Sequence, residues 1–218
     1  MKLISQKGFD FICGKDYIFF IARTGSGKDE FFKTDLEKVL EISHSEYADI
    51  KFSKAGRAVN SPYTECIRLD NGEYLTCLFS ETKIFKHDRK GNKIKELSIG
   101  KYTTGFDIIY SIALDKNGKL WIAQPMSHYV GQFDLEDERE LFRIGGDFEN
   151  PGIFDHPEQV RAIDDFIFVC DMGNKRVCKI NIETNEVSEY LKFEEHTWEY
   201  NRFKNKEIVK LTSGIYEL

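Results

Sequence analysis

An all-β architecture made from one repeated four-stranded unit is predicted by three observations. Short apolar runs such as Tyr17–Ala22, Leu120–Ala123 and Phe166–Cys170 have the length of strands, and aromatic residues reach 14% of the chain with only 4 prolines to interrupt them. No long stretch competes with the periodicity of an amphipathic helix. The strand-like runs also recur, at a spacing of about 44 residues, which is the mark of a repeat architecture.

The clearest unit spans residues 108–145, in which YSIALDKNGKLWIAQPMSHYVGQFDLEDERELFRIG runs from Tyr110 to Gly145. A second spans 157–193. Both read as strand, turn, apolar strand, polar loop, third strand ending in Asp134 or Asn181, turn and fourth strand. The same grammar fits 63–100, and a weaker copy occupies 8–43. The last copy, 197–218, stops after its third strand, while Met1–Ser5 resembles the fourth strands KELSI and LEKVLEIS. Residues 1–5 are therefore expected to complete the last unit. A single domain over 1–218 follows: a β-propeller of five four-stranded blades, its last blade closed by the N-terminal strand. Closure removes exposed sheet edges, and continuous apolar second strands suit sheets packed on both faces.

The segment Asp164–Asn181, DDFIFVCDMGNKRVCKIN, resembles an NHL repeat, in which a strand ending in Asp is followed by a Gly-Asn-x-Arg-Val loop. The matching residues here are Asp171, Gly173, Asn174, Arg176 and Val177. Through DKNGKLWIAQP and VGQFDLE, the unit from Tyr110 is similar to the propeller repeats of the streptogramin lyase and gluconolactonase families. The resemblance implies the propeller fold, with Asp171 and Arg176 bracing a loop against its own strands. From gluconolactonase-like enzymes it further implies a divalent cation on first-strand carboxylates, which would put Asp10, Glu158 and Glu199 on Ca²⁺ or Mg²⁺. The residues themselves leave both states open, no cofactor or a divalent cation.

In a propeller, the loops leading into first strands and those joining second to third strands share one face, around the mouth of the channel. The longest connections, His44–Pro62 and Gly145–His156, are of this kind and form a binding rim. Aligning the units puts Asp10, Thr64–Glu65, Ile109–Tyr110, Glu158–Gln159 and Glu199–Tyr200 at the mouth. Candidate ligand contacts are Arg23, Arg161 and Arg202 for anionic groups, Tyr110 and Tyr200 for stacking or hydrogen bonding, and Gln159. The competing reading is a water-filled polar channel in which Arg68, Arg161 and Arg202 pair with the acids. His44, His128, His156 and His196 fall in loops of the same face, where imidazoles can move protons. The basic stretch Lys51–Arg57 either closes over an anionic ligand or is a solvated loop. ARTGSGKDE, Ala22–Glu30, looks like a phosphate-binding loop, but Ala22 and Asp29 replace its first Gly and its Ser or Thr, and it lies between strands, so it reads as a hairpin.

Charge and cysteine usage narrow the function classes. With 31 basic and 37 acidic residues the net charge is −6, which disfavours binding to nucleic-acid phosphates. No apolar run has the length of a membrane span, and no secretory leader is evident at the start, so a cytoplasmic protein without a membrane partner is expected. The 5 cysteines, Cys13, Cys66, Cys77, Cys170 and Cys178, lie in apolar strand-like sequence without chelating spacing and read as buried free thiols. The leading function is non-enzymatic binding of a small polar or anionic ligand, or of a protein partner, at the channel mouth. The alternatives are a metal-dependent lactonase or lyase, and an interaction scaffold without a small-molecule site. Oligomeric state is not legible in the sequence.

Overall fold

In the computed structural model the described residues are 1–5, 8–13, 18–23, 29–32, 63–78, 83–97, 109–147, 149, 152–203 and 205–218. Among them nineteen strands form five antiparallel sheets. β1 (Lys2–Ser5) is followed by β2 (Gly8–Cys13), β3 (Ile18–Arg23) and β4 (Asp29–Phe32), of which the last three form one sheet. β5 (Tyr63–Arg68), β6 (Tyr74–Leu78), β7 (Ile84–His87) and β8 (Lys93–Leu97) form the next. β9 (Ser111–Leu114) to β12 (Arg139–Gly145) follow, with β10 (Leu120–Gln124) and β11 (Tyr129–Asp134) between. β13 (Pro157–Ile163), β14 (Phe166–Asp171), β15 (Arg176–Asn181) and β16 (Val187–Lys192) make the fourth. In the last sheet β17 (Thr197–Phe203), β18 (Lys206–Leu211) and β19 (Gly214–Glu217) take β1 as the outer strand, paired Lys2↔Glu217 and Leu3↔Tyr216. The expected use of the N-terminal strand is thus the observed one.

The hairpins repeat because the turn chemistry repeats. In Leu69–Gly72, Asp88–Gly91 and Asp115–Gly118 the last residue's N–H bonds back to the first residue's carbonyl, with Gly72, Gly91 and Gly118 at φ 81, 84 and 73. That left-handed corner is nearly free only for glycine. Asp88 and Asp115 each accept two backbone N–H groups of their own turn, which holds the hairpin register. Asp134 and Asn181 cap the third-to-fourth-strand turns in the same way. Lys119 Nζ at 2.6 Å and those N–H groups hold the Asp134 carboxyl down at about 2.

The core lies between sheets, as the unbroken apolar second strands require. Along β14, Ile167 and Val169 pack with Trp121, Ala123 and Val130 of the preceding sheet, whereas Phe168 and Cys170 pack with Tyr200 of the following one. Ile112, Leu120 and Ile122 likewise meet Leu75, Cys77 and Ile84. Each interface buries several fully enclosed side chains, each favourable by about 1.5–3 kcal/mol, so the inter-sheet seams carry the fold. Cys77, Cys170 and Cys178 are buried free thiols, and burial pushes Cys178 up to about 12, leaving it inert at neutral pH. Cys13 and Cys66 lie in β2 and β5 with side chains outside the described residues, as do the whole of His44 and Lys51–Arg57. The phosphate-loop lookalike is a hairpin connection: Arg23 of β3 pairs with Asp29 of β4.

Candidate functional site

The first strands lie beside one another in the order β5, β9, β13, β17, β2. In four of them one residue, Phe9, Thr64, Glu158 or Trp198, is bulged out of register with the second strand. The residue after the bulge then pairs at a corresponding position: Asp10↔Ile21, Glu65↔Cys77, Gln159↔Cys170 and Glu199↔Lys210. Unbulged β9 places Ser111 there, opposite Ala123. One inner position is therefore occupied by Asp10, Glu65, Ser111, Gln159 and Glu199.

This register shifts two of the residues expected at the mouth. Tyr110 precedes the ring position, is half-buried, and its N–H donates to the Ala123 carbonyl at 3.2 Å. Tyr200 follows the ring position, where Ile112 and Val160 stand in other sheets. It is accordingly fully buried, stacked on Phe168 with ring centroids 5.0 Å apart.

The ring side chains stitch one sheet to the next. Val160 N–H donates to Ser111 Oγ at 3.2 Å, and Tyr200 N–H donates to Gln159 Oε1 at 2.7 Å. Ser111 Oγ in turn donates to Glu65 Oε2 at 2.5 Å, while Arg161 Nη2 meets Glu65 Oε1 at 2.6 Å. Glu199 instead pairs within its own sheet, its Oε1 3.2 Å from Lys210 Nζ. Arg161 and Gln159 thus serve the seams between sheets. Arg202 pairs with Glu207 at 3.1 Å and with Asp164 at 3.3 Å, in the β13–β14 turn at the far end of the strands from His156. Arg68 is exposed and lies over the Tyr74 ring, 5.8 Å from its centroid. Glu158 is buried at the bulge. Asp10 and Arg23 have their strand positions described but not their side chains.

A second polar cluster lies on the rim, at the seam between the third and fourth sheets. His128 ends the Pro125–His128 turn between β10 and β11, and His156 precedes β13, so the two loop types expected on one face do meet. Their rings are edge to face with centroids 4.5 Å apart. Asp155 Oδ1 lies 2.7 Å from His156 Nδ1 and 3.4 Å from His128 Nδ1. Backbone bonds hold both residues: Gly146 N–H donates to the His128 carbonyl at 3.0 Å, Met172 N–H to the His156 carbonyl at 3.2 Å. Both stand at positive φ, 54° and 51°. His156 N–H donates to His128 Nδ1 at 3.1 Å, which puts the proton of the neutral His128 ring on Nε2. Burial, with the neighbouring His156 adding to it, lowers the His128 pKa and favours that neutral ring.

Beneath the cluster, the NHL-like residues build its support. Asp171, fully buried, accepts from Asp155 N–H at 2.7 Å, from Arg176 Nε at 2.7 Å and from Asn174 Nδ2 at 3.0 Å. Arg176 Nη2 also reaches the Ile153 carbonyl at 2.7 Å. Asp171 and Arg176 therefore have the bracing role the resemblance implies, and what they brace is the loop that carries Asp155. Gly173 is required there, since a Cβ would lie 2.3 Å from Asp155 Oδ2. His196 is exposed and meets only the Trp198 ring among the described aromatic groups, 6.5 Å away. Asp155 and Ser111 are the residues the sequence did not single out. Asp155 adjoins His156 within a loop already marked by its length, and Ser111 is visible only once the bulges are known.

No protein-family model and no curated protein matches the chain. Solved structures do. A streptogramin B lyase is 14% identical with a TM-score of 0.54, covering 100% of this chain and 70% of that one. Virginiamycin B lyase from Staphylococcus aureus gives 14% and 0.53, covering 100% and 72%. The RRP9 WD40 repeats give 12% and 0.52, covering 66% of this chain and 43% of the other, so this chain spans less than half of that protein's length. At such identities the likeness is one of fold alone, and with the antiparallel four-stranded sheets it shows that the chain folds as a β-propeller.

Proposed function

We propose that residues 1–218 form one five-bladed propeller that binds a small polar ligand at its rim without catalysing a reaction. The observation that carries this reading is the contrast between inner ring and rim. The described ring side chains are engaged within the chain, Glu65, Ser111 and Gln159 between blades and Glu199 with Lys210 of its own blade, whereas Asp155 and His156 keep 40% and 39% of their side-chain surface exposed at the blade seam. A paired carboxylate and imidazole on a braced loop is a preorganised donor and acceptor set for hydroxyl, amide or carboxylate groups. Buried free thiols fit a reducing, cytoplasmic setting. The test is thermal unfolding against sugar acids, nucleotides and other polar metabolites in the presence of a chelator, because a native-state ligand raises the melting temperature. A shift in the wild type that disappears in His156→Ala supports rim binding; no shift with any compound sinks the small-ligand reading.

Two other readings have an observation behind them. A metal-dependent lactonase or lyase, with Asp10, Glu158 and Glu199 on a cation and a rim histidine moving a proton, is favoured by the Asp155–His156 pair, since a carboxylate on Nδ1 orients the imidazole and fixes its tautomer. A protein-docking rim is favoured by Met126 and Ile153, which are 38% and 43% exposed on the same loops as His128 and Asp155.

A further inference from the structure

We infer that His128, Asp155 and His156 form a binding site for a divalent transition metal ion of the zinc type, bridging the third and fourth blades. Among the described residues theirs is the group of His, Cys, Asp and Glu side chains whose donor atoms converge, all within 4.8 Å of one another. Both Nδ1 atoms face the same carboxylate oxygen. In a tetrahedral site with ligand bonds of about 2.0–2.2 Å, neighbouring donor atoms stand roughly 3.3–3.6 Å apart. The His128 Nδ1 to Asp155 Oδ1 separation is already 3.4 Å, and the 2.7 Å His156 contact widens by less than an ångström when a cation replaces the proton between its two atoms.

The chemistry of the donors selects the ion. Two imidazoles and one carboxylate suit Zn²⁺, Co²⁺ or Ni²⁺, whereas Ca²⁺ and Mg²⁺ require mostly oxygen. This separates the site from the first-strand carboxylates Asp10, Glu158 and Glu199. Binding leaves both rings neutral: the proton of His156 moves from Nδ1, where it faces Asp155, to Nε2, while His128 keeps its proton on Nε2 and frees Nδ1 by giving up the His156 N–H. The donor loop is preorganised. Asp171 holds Asp155 N–H, Gly173 admits the carboxylate, and Met172 and Gly146 hold the two histidine backbones. Three protein donors leave a fourth position for water or an anionic group, as in open zinc sites.

The experiment is titration of the full chain, stripped with chelator, with Zn²⁺ and Co²⁺ by calorimetry and visible absorption, beside Ca²⁺ and Mg²⁺ controls. One equivalent of Co²⁺ with tetrahedral d–d absorption is expected, weakening as the pH is lowered because protons compete with the metal for the ligand atoms. His156→Ala and His128→Asn should each lower affinity by about tenfold or more, and His196→Ala should leave it unchanged. Should His128→Asn fail to fold, the half-exposed His156→Ala variant decides. Absence of a one-to-one complex overturns the inference, as does a complex that survives His156→Ala. Because the metabolite screen is run with chelator, failure of either idea is read separately from the other.

Discussion

The inner ring and the rim seam are both polar, and they differ in where their hydrogen-bonding capacity goes. Glu65, Ser111, Gln159 and Glu199 are 4%, 0%, 2% and 4% exposed, and their described partners are backbone N–H groups, a hydroxyl, Arg161 and Lys210 of this same chain. At the rim, Asp171 is equally buried and equally engaged, but the loop it holds presents Asp155 and His156 outward. Polar residues at a channel mouth can therefore be scaffold, and function is to be sought one layer outward, where a buried brace supports exposed groups.

Substitutions rank the two regions. The largest effect is expected at the brace. Asp171→Ala leaves Arg176 and the Asp155 N–H without their buried acceptor and should cost about 3–5 kcal/mol in urea unfolding. Gln159→Leu in the ring should cost about 1–3 kcal/mol, since it strands the buried Tyr200 N–H. A contrasting outcome is expected at Gln124, which occupies in β10 the place of Asp171 in β14. Its amide is fully buried and meets no hydrogen-bonding partner among the described residues, so Gln124→Leu should be neutral or stabilising by about 1 kcal/mol in the same assay.

Smaller effects sharpen the rim. His128 has a lowered pKa in the fold, chiefly through burial, so the unfolded chain binds its proton more readily. Its contribution is fully present above the ordinary histidine value and is lost as pH falls below it, so melting temperature should decline from about pH 7 to 5. His87, buried against Thr76 at 2.8 Å, acts in the same direction. His128→Gln should flatten the part of that decline that belongs to the seam. His156→Ala should change stability by no more than about 0.5 kcal/mol, its side chain being half-exposed, while removing rim binding. A large loss of stability there would make His156 part of the scaffold and erase the distinction between the two regions.

Much of the fold was legible because its grammar is local. Strand length, the Asp-x-x-Gly hairpins and the Asp134 and Asn181 turns are set by residues within a few positions of one another, and all recur in the described sheets. The resemblance to Met1–Ser5's counterparts was likewise enough to place β1 beside β19. The candidate site was legible only in part. His128 and His156 were placed on one face by connectivity, and Asp171 with Arg176 by the repeat motif. Tyr200 was misplaced because a single bulged residue at Trp198 advances the strand by one, and side chains alternate. Asp155 gave no periodic signal at all.

Taken alone, the sequence determined what depends on short range: an all-β chain, the four-stranded pattern seen in four of the five described sheets, and the turn residues. Tertiary structure decided which polar residues are consumed and which are presented. That choice rests on bulges and on contacts between residues distant in sequence, such as His156 with His128, 28 positions apart, and Val160 with Ser111, 49 apart. Such pairs leave no local pattern, because each partner is held by its own strand and they meet only when neighbouring sheets pack.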